Sequence, residues 1–97
     1  MYAYQMDVPR SIESYEKVQP ELEKKAGGWP PQGCRLHMVT KTAEGFRVTE
    51  VWDSHEACDR FGDEVRRPVI QDALGFEATA GVPPPNQELE LHRLETS

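Results

Sequence analysis

The sequence contains no apolar run approaching the ~20 residues needed to cross a bilayer, and no charged leader followed by an apolar stretch. The chain is therefore expected to be cytoplasmic, with no membrane partner. It is also poor in clustered positive charge. Eleven Lys and Arg stand against 17 Asp and Glu, and the arginines are scattered, so the basic stripe that attracts nucleic acid or anionic lipid is missing. Cysteine is scarce as well. Cys34 and Cys58 are the 2 in the chain; they lack the spacing of a metal site or disulfide framework and read as small buried hydrophobes. There are no internal repeats, and low complexity is confined to Pro83-Pro84-Pro85. With 97 residues there is room for one domain over 1–97 and not for a second, at a size where a partner subunit adds useful burial.

What is present is organised around the stretch from Gly33 to Phe61, GCRLHMVTKTAEGFRVTEVWDSHEACDRF. Cys34 to Lys41 and Phe46 to Trp52 are short and rich in Val, Thr, Leu and aromatics. They are separated by Thr42-Ala43-Glu44-Gly45, whose glycine can supply the positive φ of a three- or four-residue hairpin loop. An antiparallel hairpin is the reading. Asp53 and Ser54 then offer side chains that cap a helix start, and Ala57, Cys58, Phe61 and Val65 recur at helical spacing.

Before this stretch, Met1 to Met6 alternates Tyr2, Tyr4 and Met6 with smaller or polar residues, the two-residue period of a strand. Ile12, Tyr15, Val18, Leu22 and Ala26 lie on one helical stripe behind a Ser11 cap, and Gly27-Gly28 stops it. Pro20 falls inside that pattern and predicts a kink or break at Gln19. Trp29 sits on the stiff loop Trp29-Pro30-Pro31-Gln32-Gly33, where it either caps the core or forms one lip of a pocket. After the second helix, His55 to Val65, Pro68 opens a further helical segment ending at Gly75. The stretch from Phe76 to Asn86 reads as a loop of polyproline character, and Gln87 to Leu94 as a strand with one wet face.

The order β-α-β-β-α-β predicts an α+β fold: a ferredoxin-like sandwich with a four-stranded antiparallel sheet, spatial order 4-1-3-2, and both helices on one face. A sheet this small cannot close on itself, and its uncovered face predicts a symmetric homodimer. In one hairpin register that face carries Arg35, Val39, Thr49 and Val51.

With the hairpin glycine, the run Val51-Trp52-Asp53-Ser54, and Glu56-Ala57 followed by Phe61, the chain resembles the dimeric α/β-barrel superfamily that includes the antibiotic-biosynthesis monooxygenase-like proteins. The resemblance implies a homodimer packed sheet against sheet, with a small-molecule pocket between sheet and helices in each subunit. It covers several chemistries: cofactor-free oxygenases of aromatic polyketides, haem-degrading enzymes, isomerases, cyclases and proteins without activity. Haem-degrading members look like V-W-x-S followed by a tryptophan and, ten residues later, a histidine. Phe61 and Gln71 occupy those places here, so haem and its degradation are disfavoured and no cofactor is expected.

A metal site is not expected either, because His37 and His92 fall on opposite edge strands, about 14 Å apart at ~4.8 Å per strand. His55, in a first helical turn, reads as solvated. Glu13, Glu16, Glu21, Glu23, Asp59 and Asp63 form the wet helix faces. Glu50 differs from them because it lies in the middle of a strand, where a carboxylate needs a partner or a raised pKa.

Hairpin register decides what that partner is. With a four-residue loop Lys41 faces Phe46 and His37 stands opposite Glu50; with a three-residue loop His37 stands opposite Val51 and the two side chains project to opposite faces. We favour the paired arrangement because it gives the carboxylate a partner. The leading functional expectation is a cofactor-independent monooxygenase or isomerase acting on a hydrophobic, aromatic small molecule. His37 or Glu50 would be the catalytic base, and Tyr4, Trp52 and Phe61 the ligand-binding wall, since deprotonating a phenol or enol needs a group poised near neutral pH and a histidine beside a carboxylate meets that need. The competing expectation is a non-catalytic ligand-binding or effector protein of the same fold. A pocket too small for a ring, or a Glu50 fully satisfied by hydrogen bonds, favours the second.

Overall fold

The computed structural model describes residues 1–75 and 86–96. Its elements in chain order are β1 (Tyr2–Val8), α1 (Ile12–Ala26), β2 (Cys34–Lys41), β3 (Phe46–Trp52), α2 (His55–Phe61), a π-helical turn (Gly62–Arg66), α3 (Arg67–Leu74) and β4 (Gln87–Leu89). The strands form one antiparallel sheet in the order β2-β3-β1-β4, which is compatible with a ferredoxin-like fold. Strand β4 is shorter than its alternating sequence predicts. It pairs with β1 only from Gln87 to Leu89, and His92 lies beyond it. The expected polyproline loop falls on 76–85, outside the described residues, apart from its last residue, Asn86.

The core follows from strand alternation. Tyr2, Tyr4, Glu50 and Trp52 share the face that receives the helices, where Val18, Leu22, Cys58, Phe61 and Val69 close over them. The opposite face carries Ala3, Leu36, Met38, Thr49 and Val51. Val39 pairs with Val48 and so belongs to the helix-facing side, not to the open face proposed for it. Arg35 sits at a β-bulge between Cys34 and Leu36 and directs its guanidinium to Asp53 at 2.5 Å.

Three local features depart from the sequence reading. Helix α1 runs through Pro20 as one element, without the break expected at Gln19. The lost bond would have gone to Glu16, and both residues are exposed, so the carbonyl left over is on the wet side of the helix. Gly45 does not adopt a positive φ. Its role is close approach: a Cβ there would lie 2.1 Å from the Val8 carbonyl oxygen and 2.6 Å from that of Arg10. Finally, the second helix widens at Gly62–Arg66, where the Arg67 N–H bonds the carbonyl of Gly62, five positions back.

That π turn repairs a phase error. Phe61 and Val69, both buried, are eight apart, which in an unbroken α-helix puts them about 80° out of line. One extra residue in the turn returns about 100°, so Phe61 and Val69 meet one core. The same turn carries Arg66 from the flank of the helix to the face looking at the sheet. Pro68, which has no N–H to continue the α-helical ladder, is the second residue after it, behind Arg67.

Candidate functional site

The four-residue hairpin loop is the one formed: Lys41 pairs with Phe46 and His37 with Glu50. The two side chains meet as that register requires, His37 Nδ1 lying 2.6 Å from Glu50 Oε2. Glu50 is wholly buried and accepts from four side chains. Tyr4 O–H donates to Oε1 at 2.5 Å, Trp52 Nε1–H to Oε1 at 3.0 Å, and Arg66 Nη2 reaches both oxygens at 3.1 and 3.0 Å. Arg66 Nη1 also donates to the Tyr4 hydroxyl at 3.1 Å, and the guanidinium lies 5.2 Å from the centre of the Phe61 ring.

Burial by itself would raise the pKa of Glu50. The hydrogen bond from His37, the charge of Arg66 and the bonds from Tyr4 and Trp52 outweigh it and hold the carboxyl at about 2. Glu50 is therefore a fixed anion. It does not itself have the basicity to take a proton near neutral pH, and its role beside His37 is to orient and to compensate charge. Burial, reinforced by the Glu50 anion, keeps Tyr4 protonated far above its ordinary range, and Arg66 stays charged because Glu50 and Tyr4 offset the cost of its desolvation.

An ionised carboxylate only accepts, so His37 carries a proton on Nδ1 and turns its Nε2 away from Glu50. There Nε2 lies 2.8 Å from the hydroxyl of Tyr15, which donates to it when the ring is neutral. The rings of Tyr15 and His37 are nearly parallel, 14° apart with centroids at 6.1 Å. Phe46 holds Tyr15 edge-on at 5.6 Å, and Trp29 holds His37 edge-on at 5.0 Å. Burial raises the Tyr15 pKa to about 12. The result is one line of polar groups, from the half-buried Tyr15 through His37 to the buried Glu50 and Arg66.

Of the residues expected to form a ligand wall, Tyr4, Trp52 and Phe61 are all buried. Tyr4 and Trp52 turn their polar atoms onto Glu50, and Phe61 packs against Trp52 with ring centroids 5.5 Å apart. Two surface depressions lie elsewhere. One, of about 380 Å³, is lined by Gln5, Asp7, Asn86 and Gln87, and the other, of about 340 Å³, runs from Met1 to Leu89 past His55. Trp29 lies between His37 and Phe61, capping the core beside the imidazole. His55 is exposed and stacks on Tyr2 at 4.2 Å.

The sequence reading missed two members of this array. The helical spacing puts Tyr15 on the inward stripe of α1, but nothing local says which side chain its hydroxyl meets. Arg66 is hidden by the phase of the second helix. The one available signal is the pair Gly62 and Pro68, which marks the ladder as irregular between them. Cys34 and Cys58 are free thiols, and burial pushes them up to about 12 and about 11. Among the described residues no three His, Cys, Asp or Glu side chains are grouped to hold a metal, and no helix is long and apolar enough to cross a membrane. No family model, curated protein or solved structure matches the chain.

Proposed function

We propose that this protein is a cofactor-independent proton-transfer enzyme, of the isomerase or monooxygenase-like kind, that acts on a hydrophobic aromatic metabolite bearing an acidic C–H or O–H. His37 is the base. Glu50 is a positioning residue that fixes the Nδ1–H tautomer and stabilises the imidazolium, and Arg66, Tyr4 and Trp52 keep Glu50 ionised and immobile. The observation that carries this reading is the division of labour on one ring: Nδ1 is tied to a permanent anion and Nε2 is directed outward at a hydroxyl. That arrangement gives a base of defined geometry without metal or cofactor. A carboxylate satisfied on every side fits an orienting role better than a reactive one.

In this proposal the protein works as a homodimer of the dimeric α/β-barrel type. The uncovered sheet face carries Met38, 45% exposed, next to Leu36 and Thr49, and a second copy packed there would bury on the order of 1,200 Å² or more in total.

The test is incubation with a panel of aryl ketones and polycyclic phenols, following α-hydrogen exchange by NMR, phenolate absorbance and dioxygen uptake. At least one compound should be turned over by the wild type, and His37→Gln should lower that rate about 100-fold or more. Absence of turnover across the panel, or a His37→Gln protein as active as the wild type, refutes the reading. The second reading, a non-catalytic binding or effector protein, is favoured by the full satisfaction of Glu50 and by both depressions lying away from His37. It predicts binding without turnover.

A further inference from the structure

We infer that the Tyr15 hydroxyl is a catalytic relay, the group that touches the substrate and passes its proton to His37. This rests on the reading of His37 as base and adds the residue through which that base is reached. The imidazole is 11% exposed. Trp29 and Tyr15 both pack on it, and Nε2 faces the Tyr15 hydroxyl, which donates to it when the ring is neutral. Tyr15 itself is half-buried, on the first turns of α1, with one edge on Phe46. The phenol oxygen occupies the Nε2 edge of the imidazole, so in this proposal the substrate reaches the base through the Tyr15 hydroxyl.

The step balances without any further reactant. The substrate C–H bond breaks and its proton bonds to the Tyr15 oxygen. In the same motion the Tyr15 O–H bond breaks and that proton bonds to His37 Nε2. The electron pair left on carbon moves onto the adjacent carbonyl oxygen as an enolate, and the imidazolium formed faces the Glu50 anion. Reversing the relay to a different carbon completes an isomerisation and restores both residues. Tyr15 begins and ends protonated, in keeping with the upward displacement of its pKa by burial. The chemistry selects a flat substrate with a C–H acidified by both a carbonyl and a ring, of the benzylic ketone class.

The experiment measures washout of tritium from the α-carbons of tritiated 2-tetralone by wild type, Tyr15→Phe and His37→Gln, each in light and in heavy water. The relay puts a solvent-exchangeable proton, that of the Tyr15 hydroxyl, in flight, so the wild type should show a normal solvent isotope effect. Tyr15→Phe keeps the ring contacts with Phe46 and His37; it should lose about 100-fold in rate, and any residual washout should lose the solvent isotope effect. A purely structural role for Tyr15 would lower the rate and leave the isotope effect in place, which would overturn the inference, as would a Tyr15→Phe rate within about two-fold of wild type. If His37→Gln matches the wild type, or the wild type gives no washout, it is the reading of His37 that fails and the relay falls with it. A slow His37→Gln beside a fast Tyr15→Phe removes the relay alone.

Discussion

Exchanging Glu50 for Gln keeps the side chain's shape and deletes a charge that has no exposure to solvent. The native carboxyl sits at about 2 against an ordinary 4.5, a depression worth about 3 kcal/mol of folding free energy. The sign follows from the unfolded chain, which takes up the proton first as pH falls. The stabilisation is complete above the ordinary carboxylate range and is lost on the way down through about pH 2. Glu50→Gln should therefore cost about 3 kcal/mol near neutrality. The difference from wild type should narrow to about 1 kcal/mol near pH 3, because by then the native protein has lost most of what Glu50 contributed. Arg66 without its counter-ion adds to the cost at neutral pH, moderated by the 20% exposure of its side chain. Urea unfolding followed by tryptophan fluorescence, at one protein concentration and several pH values, gives the two curves directly. A neutral-pH difference under about 1 kcal/mol, or one that does not shrink on acidification, would refute the assignment of Glu50 as a buried fixed anion.

Phe61→Ala should cost about 3–5 kcal/mol, the range for a buried aromatic packed like this one on Trp52; unchanged stability with altered ligand binding would make Phe61 a pocket wall instead. Gly45→Ala drives a methyl into the Val8 carbonyl and should lower stability by about 2 kcal/mol in a thermal melt, through displacement of backbone that has no rotamer to give. Tolerance of alanine there would mean that β1 does not pass the hairpin so closely. For the dimer, light scattering should give twice the 11.0 kDa of one chain, and Met38→Asp should return it to one; a monomeric wild type at micromolar concentration ends that proposal.

Sequence alone was enough for the elements whose signals are local. The alternation of β1 and the hairpin strands, the Ser11 and Ser54 caps and the Gly27 stop each depend on residues within a few positions of one another. All are found in the structure. Strand order followed because connection rules leave few alternatives for this element order. Glu50 could be singled out for the same reason, since a charge in the middle of a strand conflicts with its neighbours.

What the sequence could not decide was every question turning on one residue of phase. The hairpin register, which decides whether His37 faces Glu50, rests on a single residue of loop length and on the approach of Gly45 to Val8, contributed by a different strand. The inward turn of Arg66 needs the extra residue of a π turn, and that turn is favoured only because Phe61 and Val69 must both reach the core. The hydroxyl of Tyr15 finds His37 because α1 packs beside the edge strand β2, a contact between segments 22 positions apart. The carboxylate was visible in the chain. Its fixed charge, and the line of groups leading from it to the surface, exist only once β1, β2, β3, α1 and the π turn are brought together, because burial and pairing are properties of that assembly.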